Sequence, residues 1–271
     1  MSESSTSIAA APTICPRAQP RRRSRFFAVI AAIQLAIVLT GFAPTLYMRG
    51  YFQAPQLPQH LSFHGLVLTA WFALLLLQTG LVDRRMRWHR SLGWLGAAVA
   101  VGVVVTSALA AVRTLEHPRM QFPMELPQPL GAELLEQKSA GFFNTSALIL
   151  IFTVLITAAV LQRHKPAVHK RLMLIASAAI VSAAAFRWTF LLAGLGVPAD
   201  ISFAIGGRAG IVVSLILIAT VAIHDKLTLR RVLPATVWGA GVTVALYLLV
   251  FQLRSTHMAL AWVAQVMRGA G

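Results

Sequence analysis

The chain has 271 residues, 57% of them hydrophobic and 12% charged, and a positive mean hydropathy. A water-soluble domain carries about 25% charged residues, so this composition excludes the soluble globular and disordered classes and points to several spans of about 20 apolar residues each. The net charge of +16, from 24 Lys and Arg against 8 Asp and Glu, would suggest nucleic acid in a soluble protein, but in a membrane protein its distribution carries the information; the single Cys15 rules out an intramolecular disulfide or a multi-cysteine metal site.

Residues 1–25 are rich in Ser, Ala, Pro and Arg and end in Arg21-Arg22-Arg23-Ser24-Arg25. This is read as a disordered basic leader, because it has too little apolar content to fold. The apolar run over 26–48 follows directly. It is longer than the apolar core of a signal peptide and lacks a small-x-small cleavage site, so it is read as a retained first span. Six more runs follow, at about 62–82, 92–112, 143–162, 172–194, 207–224 and 234–253. The fold class is therefore all-α: a polytopic membrane domain over 26–253 with about seven transmembrane helices.

Segments 1–25, 83–90, 163–171 and 225–231 hold 5, 4, 4 and 3 Lys or Arg, which is 16 of the 24. They alternate along the chain, and positive charge marks the cytosolic side. The N-terminus is thus expected in the cytosol, and the tail 254–271 outside, in the inner membrane of a bacterium. The outer loop 113–142 carries Pro118, Pro123, Pro127, Pro129 and four glutamates, and is expected to form an ordered cap. The apolar stretch Met258–Met267 is too short to span and suits the membrane surface.

A shift of 80 residues lays one hairpin on another, the second and third runs on the fourth and fifth. Phe63-His64 falls on Phe143-Asn144, Phe72 on Phe152, and His89-Arg90 on His169-Lys170. The His-basic pairs carry the signal, because each sits where a cytosolic loop becomes a helix. The hairpins run the same way, so they would be parallel repeats about an axis along the membrane normal, with His89 and His169 at one depth.

Neutral imidazole is the common nitrogen ligand of haem iron, and two histidines at one depth on neighbouring helices are the minimum for bis-histidine ligation. His89 and His169 are the candidate axial ligands of a b-type haem. Arg85 and Arg90 are candidates for its propionates, since guanidinium matches carboxylate geometry. The same residues also suit a plainer role: arginines follow the positive-inside rule, small residues let helices pack, and an interfacial histidine caps a helix. His60 and His64 lie one turn apart, a spacing that suits a shared metal ion, with His117 or Asp200 needed for a third ligand; no metal site is assigned. His64 lies about a turn inside the membrane. Arg187 follows His169 by 18 residues, roughly 27 Å along a helix, which brings it to the level of His64. With Arg208 these form the candidate ligand site, because an intramembrane arginine marks a functional site. The alternative for Arg187 is a structural pairing with Asp200 or with a helix-terminal carbonyl. Gln78 is expected to bond across helices. No phosphate-cradling glycine loop, acidic zinc motif or nucleophile elbow is present, and the seventh run holds no lysine for a retinal Schiff base.

At His64, at His89-Arg90-Ser91-Leu92-Gly93, and at His169-Lys170-Arg171-Leu172-Met173 with Arg187, the chain resembles a family of uncharacterised bacterial multi-pass membrane proteins. The match covers the second to fifth runs, less than half of the chain. Leu233-Pro234-Ala235-Thr236 also resembles relatives in which a histidine precedes the Pro-Ala-Thr; Leu233 departs from that and loses any ligand role there. More distantly, paired histidines on a four-helix core are similar to the transmembrane b-type cytochromes that take electrons from ascorbate, which use one histidine pair near each face. Here the outer pair would be His64 with Asn144, and asparagine does not ligate haem. The resemblance thus implies at most one bis-histidine haem, on the cytosolic side.

Three readings stay open: a redox or accessory protein with a haem at His89 and His169, a transporter or ligand-binding protein using His64 and Arg187, and a structural or assembly subunit of a membrane complex. The expected partners are the lipid bilayer and other membrane subunits, not nucleic acid.

Overall fold

The computed structural model describes residues 22–54, 56–82, 85–116 and 131–269. All regular structure among these residues is helical: α1 (Arg22–Phe42), α2 (Gln59–Leu81), α3 (Met86–Glu116), α4 (Ala132–Leu161), α5 (Pro166–Phe186), α6 (Trp188–Gly194), α7 (Ala199–Leu229), α8 (Pro234–Leu253) and α9 (His257–Gly269). Seven stretches are long and apolar enough to cross a membrane, α5 and α6 together forming one of them. The protein is an all-α, multi-pass membrane protein.

Most helices outrun their apolar runs. α3 starts at Met86, α4 at Ala132 and α7 at Ala199, whereas hydropathy placed them at 92, 143 and 207. Hydropathy registers only the part that must sit in hydrocarbon, while the backbone ladder continues into the polar interface as long as propensity allows. Two expectations are corrected by this. The outer loop 113–142 is helical over 113–116 and 132–142; Pro118, Pro123, Pro127, Pro129 and His117 lie outside the described residues. The leader's last residues, 22–25, belong to α1, and the rest of it, with Cys15, is likewise outside. α1 also continues through a wide turn over Ala43–Tyr47, where Pro44 removes a backbone donor and the ladder slips to a longer period.

α5 is the centre. Of its apolar window 72% is buried, against 22–39% in the other six spans, because α1, α4, α7 and α8 all pack on it. Its alanines, Ala176, Ala178, Ala179, Ala184 and Ala185, are fully buried and let those neighbours approach closely. α2, α3 and α4 continue the ring, α2 on α3 and α3 on α4, and α1 bridges α2 to α5. Trp71 on α2 fills the middle: its ring meets Phe152 of α4 edge-on at 5.1 Å, and its Nε1 donates to Ser177 Oγ of α5 at 3.0 Å.

α7 presents Ser202, Gly206, Gly210 and Ser214, all buried, at four-residue spacing to the α5–α6 elbow. A Cβ at Gly206 would strike the Thr189 hydroxyl and lie 2.8 Å from the Phe186 carbonyl oxygen; one at Gly210 would lie 2.9 Å from the Ser182 oxygen. Backbone cannot yield as a side chain can, so Gly206→Val is expected to cost about 1–3 kcal/mol by overpacking. Gly207→Ala, which points into open space, should cost nothing and gain up to about 1 kcal/mol of helix propensity. Thermal unfolding of the two purified variants separates them; equal midpoints would remove the close contact from the account of the fold.

The tail forms α9, which packs on α3 and α4. Val263 and Ala259 are buried there, and Trp262 meets Phe142 at 5.1 Å. The stretch that was too short to span is therefore a cap on the bundle.

Candidate functional site

Polar side chains gather at the two ends of the bundle, separated by the packed Trp71 and Phe152. At the end that carries the basic segments, α4 stops at Leu161 and leaves its last carbonyls without helical partners. The Ala159 carbonyl accepts a hydrogen bond from His169 Nδ1, on the first turn of α5, at 2.8 Å. A carbonyl only accepts, so Nδ1 carries a proton, and in the neutral ring the lone pair is then on Nε2. His89, on the first turn of α3, lies within electrostatic reach of His169. Its Nδ1 is buried with no hydrogen-bond partner among the described residues, an arrangement that costs about 1–3 kcal/mol unless something engages it. Gln78 Nε2 donates to the His89 carbonyl at 3.3 Å, the cross-helix bond expected of it. α3 packs on α2 and α4, and α5 on α1 and α4, so the two histidines come from helices that share α4 as a neighbour. Arg85 and Arg90 are exposed at the rim of this end. Arg84, quoted in the same motif, lies outside the described residues.

The structure thus places His89 and His169 at the same end of the bundle, within electrostatic reach of each other. Among the described residues no three His, Cys, Asp or Glu cluster as a metal site. A bare divalent ion would need three or four protein ligands, whereas haem brings four porphyrin nitrogens and asks for two. A donor set of two imidazoles matches the number of protein ligands that haem asks for and falls short of the number that a bare ion needs.

The same end contains a network that the sequence did not disclose. Arg171 is paired with Asp225 of α7, both fully buried. Its Nε donates to both carboxylate oxygens at 2.9 Å, and Nη1 donates to the Ala167 carbonyl at 2.7 Å. Asp225 Oδ2 also accepts from Thr236 Oγ1 at 2.6 Å and from the Leu233 amide at 3.4 Å. The Leu233-Pro234-Ala235-Thr236 turn therefore wraps a carboxylate through its backbone and hydroxyl, and the residue at 233 needs no ligand side chain for that. The Phe27 ring lies under Lys170 Nζ at 4.3 Å, and Phe26 stacks on His224 at 3.9 Å. The available signal was an acidic residue at the cytosolic end of an apolar run, where positive charge prevails.

At the opposite end, Thr106 of α3 donates its hydroxyl to the Gly102 carbonyl at 2.7 Å, and His64 Nδ1 lies 3.1 Å from the same oxygen. With the hydroxyl proton committed, Thr106 accepts and His64 donates. Arg187 and His60 both lie within electrostatic reach of His64. Arg187 occupies the elbow between α5 and α6, where its amide bonds to Ala184 and the Thr189 hydroxyl takes the Phe186 carbonyl. Its guanidinium lies over the Phe42 ring, 4.7 Å from the centroid. A desolvated cation–π contact is worth about 2 kcal/mol. Neither sequence-based structural partner is found: among the described residues no carboxylate pairs with Arg187, and Asp200 is exposed. Arg208 is also exposed, on the side of α7 away from its buried glycines, and is not brought to His64. The repeat breaks at this end, since His64 turns inward to Thr106 while Asn144 is exposed.

The chain matches no known family model, no curated protein and no solved structure.

Proposed function

We propose that the protein is a bacterial inner-membrane redox or accessory protein that holds one b-type haem between α3 and α5, with His89 and His169 as axial ligands. One observation carries this reading: the His169 ring is held through Nδ1 by the Ala159 carbonyl, so that Nε2 is the nitrogen available to a metal in the neutral ring, and His89, whose buried Nδ1 has no partner among the described residues, lies within electrostatic reach of it. Haem ligands usually donate their second ring N–H to a carbonyl or carboxylate, which fixes the ring and raises its basicity, and His169 has that arrangement before any ligand is present. Arg85 and Arg90 stand at the rim where propionates would emerge. When bound, the haem would supply one-electron oxidation and reduction. The residues around it would orient the two imidazoles, and Trp71 with Phe152 would close the site from the opposite face. The positive-inside distribution puts this site at the cytosolic end.

The test is the visible absorption of the purified protein from haem-replete cells, oxidised and dithionite-reduced. A Soret band with sharp reduced bands is expected. A colourless protein, or one that takes up no added haemin, overturns the reading.

A further inference from the structure

We propose that the outer end of the bundle binds an oxyanion, a carboxylate or phosphate, with Arg187 as its charge partner and His64 on Thr106 beside it. This is independent of the haem reading, because Trp71 and Phe152 separate the two ends.

The argument rests on a contrast within the molecule. The buried Arg171 is fully answered by two partners: the Asp225 carboxylate, itself held by the Thr236 hydroxyl, and the Ala167 carbonyl. Arg187 has the Phe42 face on one side and the imidazole of His64 in reach, and among the described residues no carboxylate pairs with it. A guanidinium presents a planar fork of donors that carboxylate and phosphate match in pairs, and a half-buried one with no acceptor among the described residues is suited to take one from a ligand. The elbow at Arg187 aims the side chain inward. There the continuous turn of α5 ends, and the Thr189 hydroxyl and the glycine face of α7 occupy the other side. His64 completes the site chemically. Its Nδ1–H is committed to Thr106, so Nε2 is an acceptor for a ligand hydroxyl and becomes a second donor on taking a proton.

Depth supports an anion from the outer side. Arg187 lies 21 residues beyond the start of α5, or about 31 Å along a helix, close to the roughly 30 Å thickness of the hydrocarbon core. It therefore sits at the outer boundary, within reach both of a small anion in the outer aqueous phase and of a lipid phosphate.

The experiment is a thermal-shift series on the full-length protein. In neutral detergent, sodium phosphate and sodium succinate are compared with sodium chloride at equal ionic strength, so that general screening is removed. In a second arm, nanodiscs of phosphatidylcholine are compared with nanodiscs containing phosphatidylglycerol. At ligand concentrations about 100-fold above Kd a rise of roughly 5 °C is expected. A rise with phosphate or succinate that is lost in Arg187→Gln identifies a soluble anion; a rise only with phosphatidylglycerol, lost in the same variant, identifies the lipid. Thr106→Val should weaken the response about tenfold in affinity without removing Arg187, which keeps the test informative if Arg187→Gln fails to fold. Arg268→Gln, an exposed change on α9, should leave it intact. No response in either arm, or an equal response in Arg187→Gln, overturns the proposal. Absorption of any bound haem should be unchanged in every variant, so failure here is distinguishable from failure of the haem reading.

Discussion

Asp225→Ala is expected to destabilise the protein by about 3–5 kcal/mol, the usual consequence of removing one partner from a buried ion pair. The reason is geometric. Asp225 receives Arg171, the Thr236 hydroxyl and the Leu233 amide at once. Its loss leaves a buried guanidinium and two further donors unanswered, and it unties the turn that joins α7 to α8 from the central helix α5. At about 2–4 °C per kcal/mol for a chain of this size, the apparent midpoint in detergent should fall by roughly 10 °C. The double variant Arg171→Met with Asp225→Leu should recover part of that loss, since apolar replacement of both partners removes the unpaired charge. A fall below about 2 °C in the single variant, or a double variant worse than both singles, would show that the pair does not hold the inner end together.

The second large effect concerns the histidines. His89→Ala and His169→Ala should each abolish the low-spin haem spectrum, because two axial bonds are needed and neither helix offers a replacement imidazole at that depth. His64→Ala, at the other end, should leave the spectrum as it is. The two inner variants should also differ from each other. His169 carries the carbonyl-oriented ring, and loss of such orientation elsewhere costs about 10–100-fold in affinity, so residual haemin binding should be weaker in His169→Ala than in His89→Ala. Titration of added haemin into each apo-variant reads this directly. A spectrum that survives both substitutions would move the cofactor elsewhere or remove it.

Much of the architecture was legible in the sequence. Transfer of apolar side chains from water to lipid adds up along the chain, so seven runs yield seven spans whatever their packing. The helix ends were less legible, because a helix such as α4 continues for about three turns beyond the point where hydropathy falls. The break at Arg187 was not legible: it lies where Gly206 of α7 passes close to Phe186 and Thr189, a contact between segments that no property of residues 172–194 encodes.

The site residues divide in the same way. That His89 and His169 share a depth follows from counting residues, and so does the level of His64 with Arg187. Whether such residues meet depends on rotation about each helix axis, which turns by about 100° per residue, and on which helices are neighbours. Those quantities exist only in the assembled bundle. The sequence by itself determined that the protein is an all-α, multi-pass membrane protein, with its polar side chains sorted by depth. Only the tertiary structure decided that Arg171 has Asp225, 54 residues away, that Arg187 does not have Asp200, and that His169 spends one nitrogen on Ala159. Depth is additive along a chain, whereas partnership requires two helices to present chosen faces to each other at the same level.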